Sequence, residues 1–326
     1  MTKTNKIFAA IAAISLIFLA INFNSNTTNK NIPLIAIANY GPHSSLQETI
    51  DGIKSELTKL GYIENKNIRY EISDVNFETS LIIQMLRKLK ASNPKLLVTI
   101  STPIAQAAKN MIKDIPVVYA DVTDPVEAGL YNPNESTNIT GASDKQDLKL
   151  MLKFAKELLP EAKKVGILYS TGEANDLSLL NMLKEDAKTF NLEVVSIPVE
   201  HTRDVISRMR AFKNNVDFIY TGSSGGIQAS LPAIVKTSEA MKIPLFNFND
   251  KEVISHNTLA SFGVTHTQVG VNAARIIHRI FNGEKPSEIK PIYPSIDDHA
   301  GFISAIRAKE IGLAIPKELT NITIVE

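Results

Sequence analysis

The sequence predicts an α/β protein built as two doubly wound parallel-sheet lobes joined by a hinge. Three observations predict it. Short apolar runs alternate with helical stretches from residue 34 to residue 122, the pattern of parallel strands covered on both faces. A second series of the same kind starts near residue 144. The segments after residue 257 extend neither series cleanly, as expected of a chain that crosses between lobes more than once.

In the first series LIAIANY (34–40) is a short Ile-rich run and reads as a strand. In the helix expected over 45–61, Leu46, Ile50, Ile53, Leu57 and Leu60 recur at helical spacing and Gly61 marks the stop. NIRYEIS (67–73) alternates like a strand, ETSLIIQMLRKLKAS (78–92) is helical, and KLLVTI (95–100) is a strand. TPIAQAAKNMI (102–112) is helical, with Thr102 as its N-cap and Pro103 at the first helical position. IPVVYADV (115–122) is the next strand.

The second series opens with a helix (147–160) ended by Pro160, then the strand KKVGILYS (163–170) and a helix over 175–190. LEVVSIPVE (192–200) is a strand, TRDVISRMRAFKN (202–214) a helix and VDFIYT (216–221) a strand. LPAIVKTSEAMK (231–242) is helical and IPLFNFN (243–249) is a strand. No Gly/Ser- or Pro-rich linker separates the lobes. Short crossovers near NITGAS (138–143) and ASFGV (260–264) fit a hinge better than a tether. The first lobe is expected over 32–140 plus about 262–290, and the second over 141–261 plus about 291–326.

The 326 residues suffice for two domains. With 35 basic and 34 acidic side chains the net charge is +1, which gives no electrostatic footprint for nucleic acid. Cysteine is absent, so disulfides, thiolate metal sites and a lipid-attachment cysteine are excluded. Lys3 and Lys6 precede the uncharged apolar run Ile7 to Phe23, and a polar tract follows. Residues 1–31 therefore read as an export signal, or as an N-terminal anchor if they are not cleaved. The expected location is the periplasm.

Ligands of parallel α/β sheets sit beyond the carboxyl ends of the strands. Polar groups gather there: Tyr40, His43, Ser44 and Ser45; Ser101 and Thr102; Asp121, Thr123 and Asp124. The second lobe supplies Glu173, Asn175 and Asp176, then Ser223 and Ser224, then Asn249 and Asp250. Helix N-termini among them favour a carboxylate, and carboxylates such as Asp124 and Glu173 suit an ammonium. A zwitterion fits both halves. Each stretch also has a plain reading: Thr102-Pro103 as a helix start, Thr123-Asp124-Pro125 as a turn.

Catalysis has one foothold. Gly222-Ser223-Ser224-Gly225-Gly226 matches G-x-S-x-G after a strand. Asp250, Asp297 or Asp298, then His299, could follow in hydrolase order. Against it, the next firm helix signal is delayed, with Pro232 several residues downstream. The six histidines form no metal-binding spacing, and no phosphate-binding glycine motif follows a strand. No metal, cofactor or enzymatic activity is expected.

Residues 102–130, NITGASD (138–144), KKVGILYSTGEAN (163–175) and AKEIGLAIP (308–316) together resemble the ABC-transporter substrate-binding family that includes tryptophan/tyrosine uptake receptors. The resemblance covers most of 33–316. It implies a type I periplasmic-binding-protein fold with three crossovers and a small-molecule ligand, an amino acid or related compound, in the interlobe cleft. A membrane ABC permease is the implied partner, and the receptor is expected to be a monomer. Thr102, Thr123, Asp124, Glu173 and Asn175 occupy the matching motifs, and His43 lies in a loop that faces the ligand. Two departures stand out. Thr221-Gly222-Ser223-Ser224 replaces a P-T-D-N-like loop, and an expected Asp appears as Asn249 or is displaced to Asp250. The rival readings are a serine hydrolase using Ser224 and the ligand-sensing domain of a membrane signalling system.

Overall fold

Five strands, β1 (Leu34–Asn39), β2 (Arg69–Asp74), β3 (Leu96–Ile100), β4 (Val117–Val122) and β5 (Ile139–Ser143), form one sheet in the order β2-β1-β3-β4-β5. All its neighbours are parallel. The computed structural model describes residues 32–317, 319 and 321–326; the export segment expected at residues 1–31 lies outside them. Every residue of β1, β3, β4 and β5 is buried, which is why these strands read as unbroken apolar runs. The edge strand β2 is half-exposed. Helices α1 (Ser44–Lys59), α2 (Ile82–Ala91) and α3 (Thr102–Met111) make the crossovers. The N-cap of α3 is Ser101, one residue before the expected Thr102, and no side chain closes the cap.

The second sheet holds β6 (Lys164–Ser170), β7 (Glu193–Val199), β8 (Phe218–Thr221), β9 (Leu245–Asn247), β10 (Ala260–Val264), β11 (His299–Ser304) and β12 (Ile322–Val325). Its order is β12-β11-β10-β9-β8-β6-β7. Helices α4 (Leu148–Leu158), α5 (Ala174–Thr189), α6 (Val205–Met209), α7 (Gly225–Gln228), α8 (Leu231–Met241) and α9 (Asp250–Ile254) accompany it. The single helix expected over 202–214 is broken. α6 is flanked by 3-10 turns at Thr202–Asp204 and Arg210–Phe212. The tightened end brings Phe212 onto the strand, where a Cβ at Gly166 would come within 3.0 Å of its ring.

Segments 138–143 and 260–264, expected as crossovers, are instead mostly the strands β5 and β10. The chain changes lobes immediately after them, at Asp144–Asp147 and at Thr265. From there α10 (His266–Phe281) packs on the first lobe against α1. Two glycines set that crossing: a Cβ on Gly52 would strike the Thr267 carbonyl, and one on Gly270 the Thr49 carbonyl. Ile292 then bridges to Ala142 at the rim of the first sheet before the chain returns to β11 and α11 (Ala305–Glu310). The chain re-enters from the cleft side, so β11 runs antiparallel to β10, which the expectation of purely parallel sheets missed.

Each lobe has its own core. One buried cluster surrounds the first sheet, and two lie on opposite faces of the second. No helix among the described residues is long and apolar enough to cross a membrane.

Candidate functional site

The carboxyl ends of both sheets meet at one place. Ser45, Ser101 and Asp121 come from the first lobe and Asn175, Ser223 and Phe248 from the second. Asp144 and His266 come from two of the three crossovers. They enclose about 20 Å³, room for about one water molecule. The lobes touch around it. Asn249 Nδ2 donates to Ser44 Oγ at 3.0 Å, and Thr123 Oγ1 lies 3.5 Å from Ser223 Oγ. The His43 ring stacks on Phe248, and a Cβ on Gly225 would collide with the Tyr40 ring. The lobes are closed on one another.

Two strand tips at the cavity are strained. Ser101 has φ 86° and Asp121 φ 54°, both in the region that favours glycine. Such residues cost about 1–3 kcal/mol each and collect at functional sites. Ser101 still donates its N–H to the Ala120 carbonyl, and Asp121 sits in an irregularity of the β4–β5 pairing, which resumes at Val122.

Polar atoms without partners are concentrated here. Asp121 Oδ2, Asp144 Oδ1, Asn175 Oδ1 and His266 Nε2 are buried and make no hydrogen bond, and all four residues line the cavity. Thr102 Oγ1 and Ser224 Oγ, each on the residue after a lining serine, are in the same condition. An unsatisfied buried polar group costs about 1–3 kcal/mol, so this cluster is expensive in the closed form.

The charges are arranged around His266. Its Nδ1 lies 2.9 Å from Asp121 Oδ1, with both side chains almost fully buried. Burial alone would lower the imidazole, but Asp121, Asp144 and Glu48 outweigh it and raise it to about 9. The ring is therefore cationic at neutral pH. Burial and then repulsion from Asp121 push Asp144 up to about 6, with His266 opposing. His43, lowered to about 4 by burial and by His266, is neutral. On the second lobe burial raises Glu173, while N–H groups of Gly225 and Gly226 and the Asn175 amide hold it down. Asp176 is raised further, by burial and then by Glu173.

The residues expected from sequence separate into two sets. Ser101, Asn175 and Ser223 line the cavity; Thr102, Thr123 and Ser224 are buried beside it. Tyr40 packs edge-on to Phe77 at the margin. His43 caps α1 by accepting from Ser45 N–H, and Asn249 caps α9 by accepting from Lys251 N–H. Asp124 is engaged elsewhere. It accepts from Val126 and Glu127 N–H in its own turn and pairs with Lys145 at 2.8 Å. Glu173 is spent on Gly225 N–H and Asn175 Nδ2. Asp250 begins α9 and does not line the cavity.

Sequence reasoning passed over Asp144, His266 and Phe248. The signal for the first two was position: each follows a crossover strand within two residues, where any hinged cleft must place its side chains.

The hydrolase reading finds a helix but no machinery. α7 starts directly after Ser224, contrary to the delay expected. Yet no imidazole bonds to Ser224 Oγ; the titratable group that faces it is the Asp176 carboxylate. His299 is committed elsewhere: Nε2 accepts from Asp147 N–H, and Nδ1 donates to the Ser295 carbonyl. A larger cleft of about 370 Å³ lies at the amino ends of β9 and β10, away from these tips. Arg307 there is held by Glu239 and Glu310.

Comparison with known proteins agrees with this geometry. A tyrosine-binding protein of Clostridioides difficile is 30% identical over 272 residues, 83% of this chain and 79% of the relative. An ABC domain from Streptococcus pneumonia, solved in complex with L-Trp, superposes with a TM-score of 0.84 at 26% identity, covering 90% of this chain and 100% of that one. A substrate binding protein with adhesive properties from Clostridium difficile, in its ligand-free, open form, gives 0.68 at 27% identity, covering 90% and 99%. The fold thus lies nearer the ligand-bound structure than the open one. The sequence model described as ABC transporter substrate binding protein matches residues 34–323. By that match the chain belongs to the ABC transporter substrate-binding protein family.

Proposed function

We propose that this substrate-binding protein captures an amino acid between its lobes and presents it, outside the cytoplasmic membrane, to a membrane ABC permease. The observation that carries the reading is that residues with unpartnered buried atoms, drawn from both lobes and two of the three crossovers, line one cavity. An amino acid is far larger than the cavity of about 20 Å³ enclosed here, so its capture requires the lobes to close less tightly around it. A solute that satisfies these atoms favours that closed form over the open one. The atoms are of both kinds. Asp121, Asp144 and Asn175 accept hydrogen bonds, whereas the cationic His266 ring donates, as the Thr102 hydroxyl at the N-terminus of α3 can. A zwitterion uses both sets. Phe248, flanked by the His43 and His266 rings, offers an aromatic wall. Aromatic amino acids are therefore the first to test, in keeping with the tyrosine and L-Trp named for the relatives.

The test is a thermal-shift screen against the twenty proteinogenic amino acids, simple amines and small anions. At one hundred times Kd a ligand adds about 2.7 kcal/mol of stability, a shift of several degrees. If no amino acid shifts the melting temperature while another class does, the reading fails. Export, a monomeric state and delivery to a permease belong to the same proposal. N-terminal sequencing of the exported protein tests the first of them.

A further inference from the structure

We propose that Gln146 and His299 lace the three crossovers into a single pivot, so that the lobes close along one path. Neither residue lines the cavity. Both are positioning residues that act through the backbone they hold. Gln146 spans the first two crossovers. It is buried in the first, where its Nε2 donates to the Asp144 carbonyl at 3.1 Å. Its Oε1 accepts from Val264 N–H at 3.1 Å, just before the second crossover. Gly263 makes room for this side chain, because a Cβ there would strike Oε1.

His299 reaches all three. It opens β11 at the end of the third crossover, where its Nδ1 donates to the Ser295 carbonyl at 2.8 Å. Its Nε2 accepts at 3.1 Å from the N–H of Asp147, which ends the first crossover and caps α4. Its ring stacks on Phe262, with centroids 6.4 Å apart and planes at 23°. Its backbone pairs with Val264, beside the second crossover. Only a neutral ring with its hydrogen on Nδ1 makes both side-chain bonds, because Nε2 must keep its lone pair.

These contacts form a closed circuit. His299 joins the third crossover to the first, Gln146 joins the first to the second, and the β10–β11 pairing joins the second to the third. Three separately flexible links would let one lobe twist and slide on the other as well as close. The cavity is lined from both lobes, so its two halves must meet in register. A hinge without the lacing has to be ordered at the moment of binding, which weakens affinity.

The experiment measures the distance distribution between two spin labels on the full chain. No native cysteine interferes, so the labels go on Lys88→Cys in α2 and Lys184→Cys in α5, exposed positions of the two lobes. His299→Phe keeps the ring contact and loses both hydrogen bonds; Gln146→Met keeps the volume and loses its own two. Each is expected to widen the distribution of the solute-free protein by about twofold or more. His299→Gln, whose amide oxygen takes the Asp147 N–H, should restore most of the wild-type width. Titration with L-tryptophan and L-tyrosine, which rests on the amino-acid reading, should show affinity about fivefold or more weaker in the widened variants. A merely structural role lowers the melting temperature and leaves width and affinity unchanged. Should Gln146→Met fail to fold, because it strands Val264 N–H, His299→Phe decides alone. Widths within about a fifth of the wild type in the folded variants overturn the pivot. Failure of both amino acids to bind counts against the amino-acid reading and leaves the pivot to the distances.

Discussion

Replacing His266 by glutamine removes the cation that faces Asp121 and leaves that carboxylate buried. The two side chains are 2% and 3% exposed and their atoms are 2.9 Å apart. Unit charges at that separation attract by about 6 kcal/mol at an effective dielectric of about 20, and desolvation offsets part of it. The net rise of the imidazole from 6.5 to about 9, to which Asp144 and Glu48 also contribute, corresponds to on the order of 3 kcal/mol. Because the folded value lies above the unfolded one, this stability is fully present below pH 6.5. It falls as the pH rises through about 9. His266→Gln should therefore lower the unfolding free energy by about 3–5 kcal/mol at pH 6 and by much less at pH 10. Urea unfolding at pH 6, 8 and 10 measures this, with Asp121→Asn and the double variant completing a thermodynamic cycle. A loss under about 1 kcal/mol at pH 6, or a coupling that does not change with pH, would refute the buried ion pair.

Four further outcomes are expected. Asp144 faces Asp121, His266, Thr123 and Tyr220 and titrates near 6, so affinity for an ammonium ligand should drop up to about tenfold per unit below that pH. Asp144→Asn should abolish the dependence in a pH series of titrations. Ser101→Gly relieves the backbone at φ 86° without removing a capping bond and should raise stability by about 1 kcal/mol in urea melts. Gly270→Ala drives a methyl into the Thr49 carbonyl and should cost about 1–3 kcal/mol. Lys145→Ala breaks a rim pair whose side chains are 38% and 14% exposed; a stability change above about 1 kcal/mol would contradict its surface character.

The strands were legible because burial on both faces leaves an apolar run of strand length, as in KLLVTI. The helix-strand alternation then implied two lobes. What pattern alone could not supply was direction and assignment. β11 carries the same alternation whether it runs with or against β10; only the route through α10 settles it. Capping side chains misled in a consistent way. Asp124 and Glu173 carry the charge an ammonium wants, but Asp124 is taken by N–H groups of its own turn and Glu173 by the N–H that opens α7, 52 positions along the chain. His266 hid for the opposite reason. A histidine at the first position of an amphipathic helix shows nothing until the fold carries it to Asp121, 145 positions away.

The clasp between α1 and α10 has a bearing on how the molecule is made. Its halves lie at opposite ends of the chain, yet both belong to the first lobe. A nascent chain ending at Val264 already holds all five strands of that lobe's sheet but lacks one of the helices that cover it. Closing so wide a loop is slow and entropically costly, so the first lobe should mature last, after the lobe encoded in its middle. Stalled or trimmed products would then show an exposed, protease-sensitive first lobe beside a resistant second one.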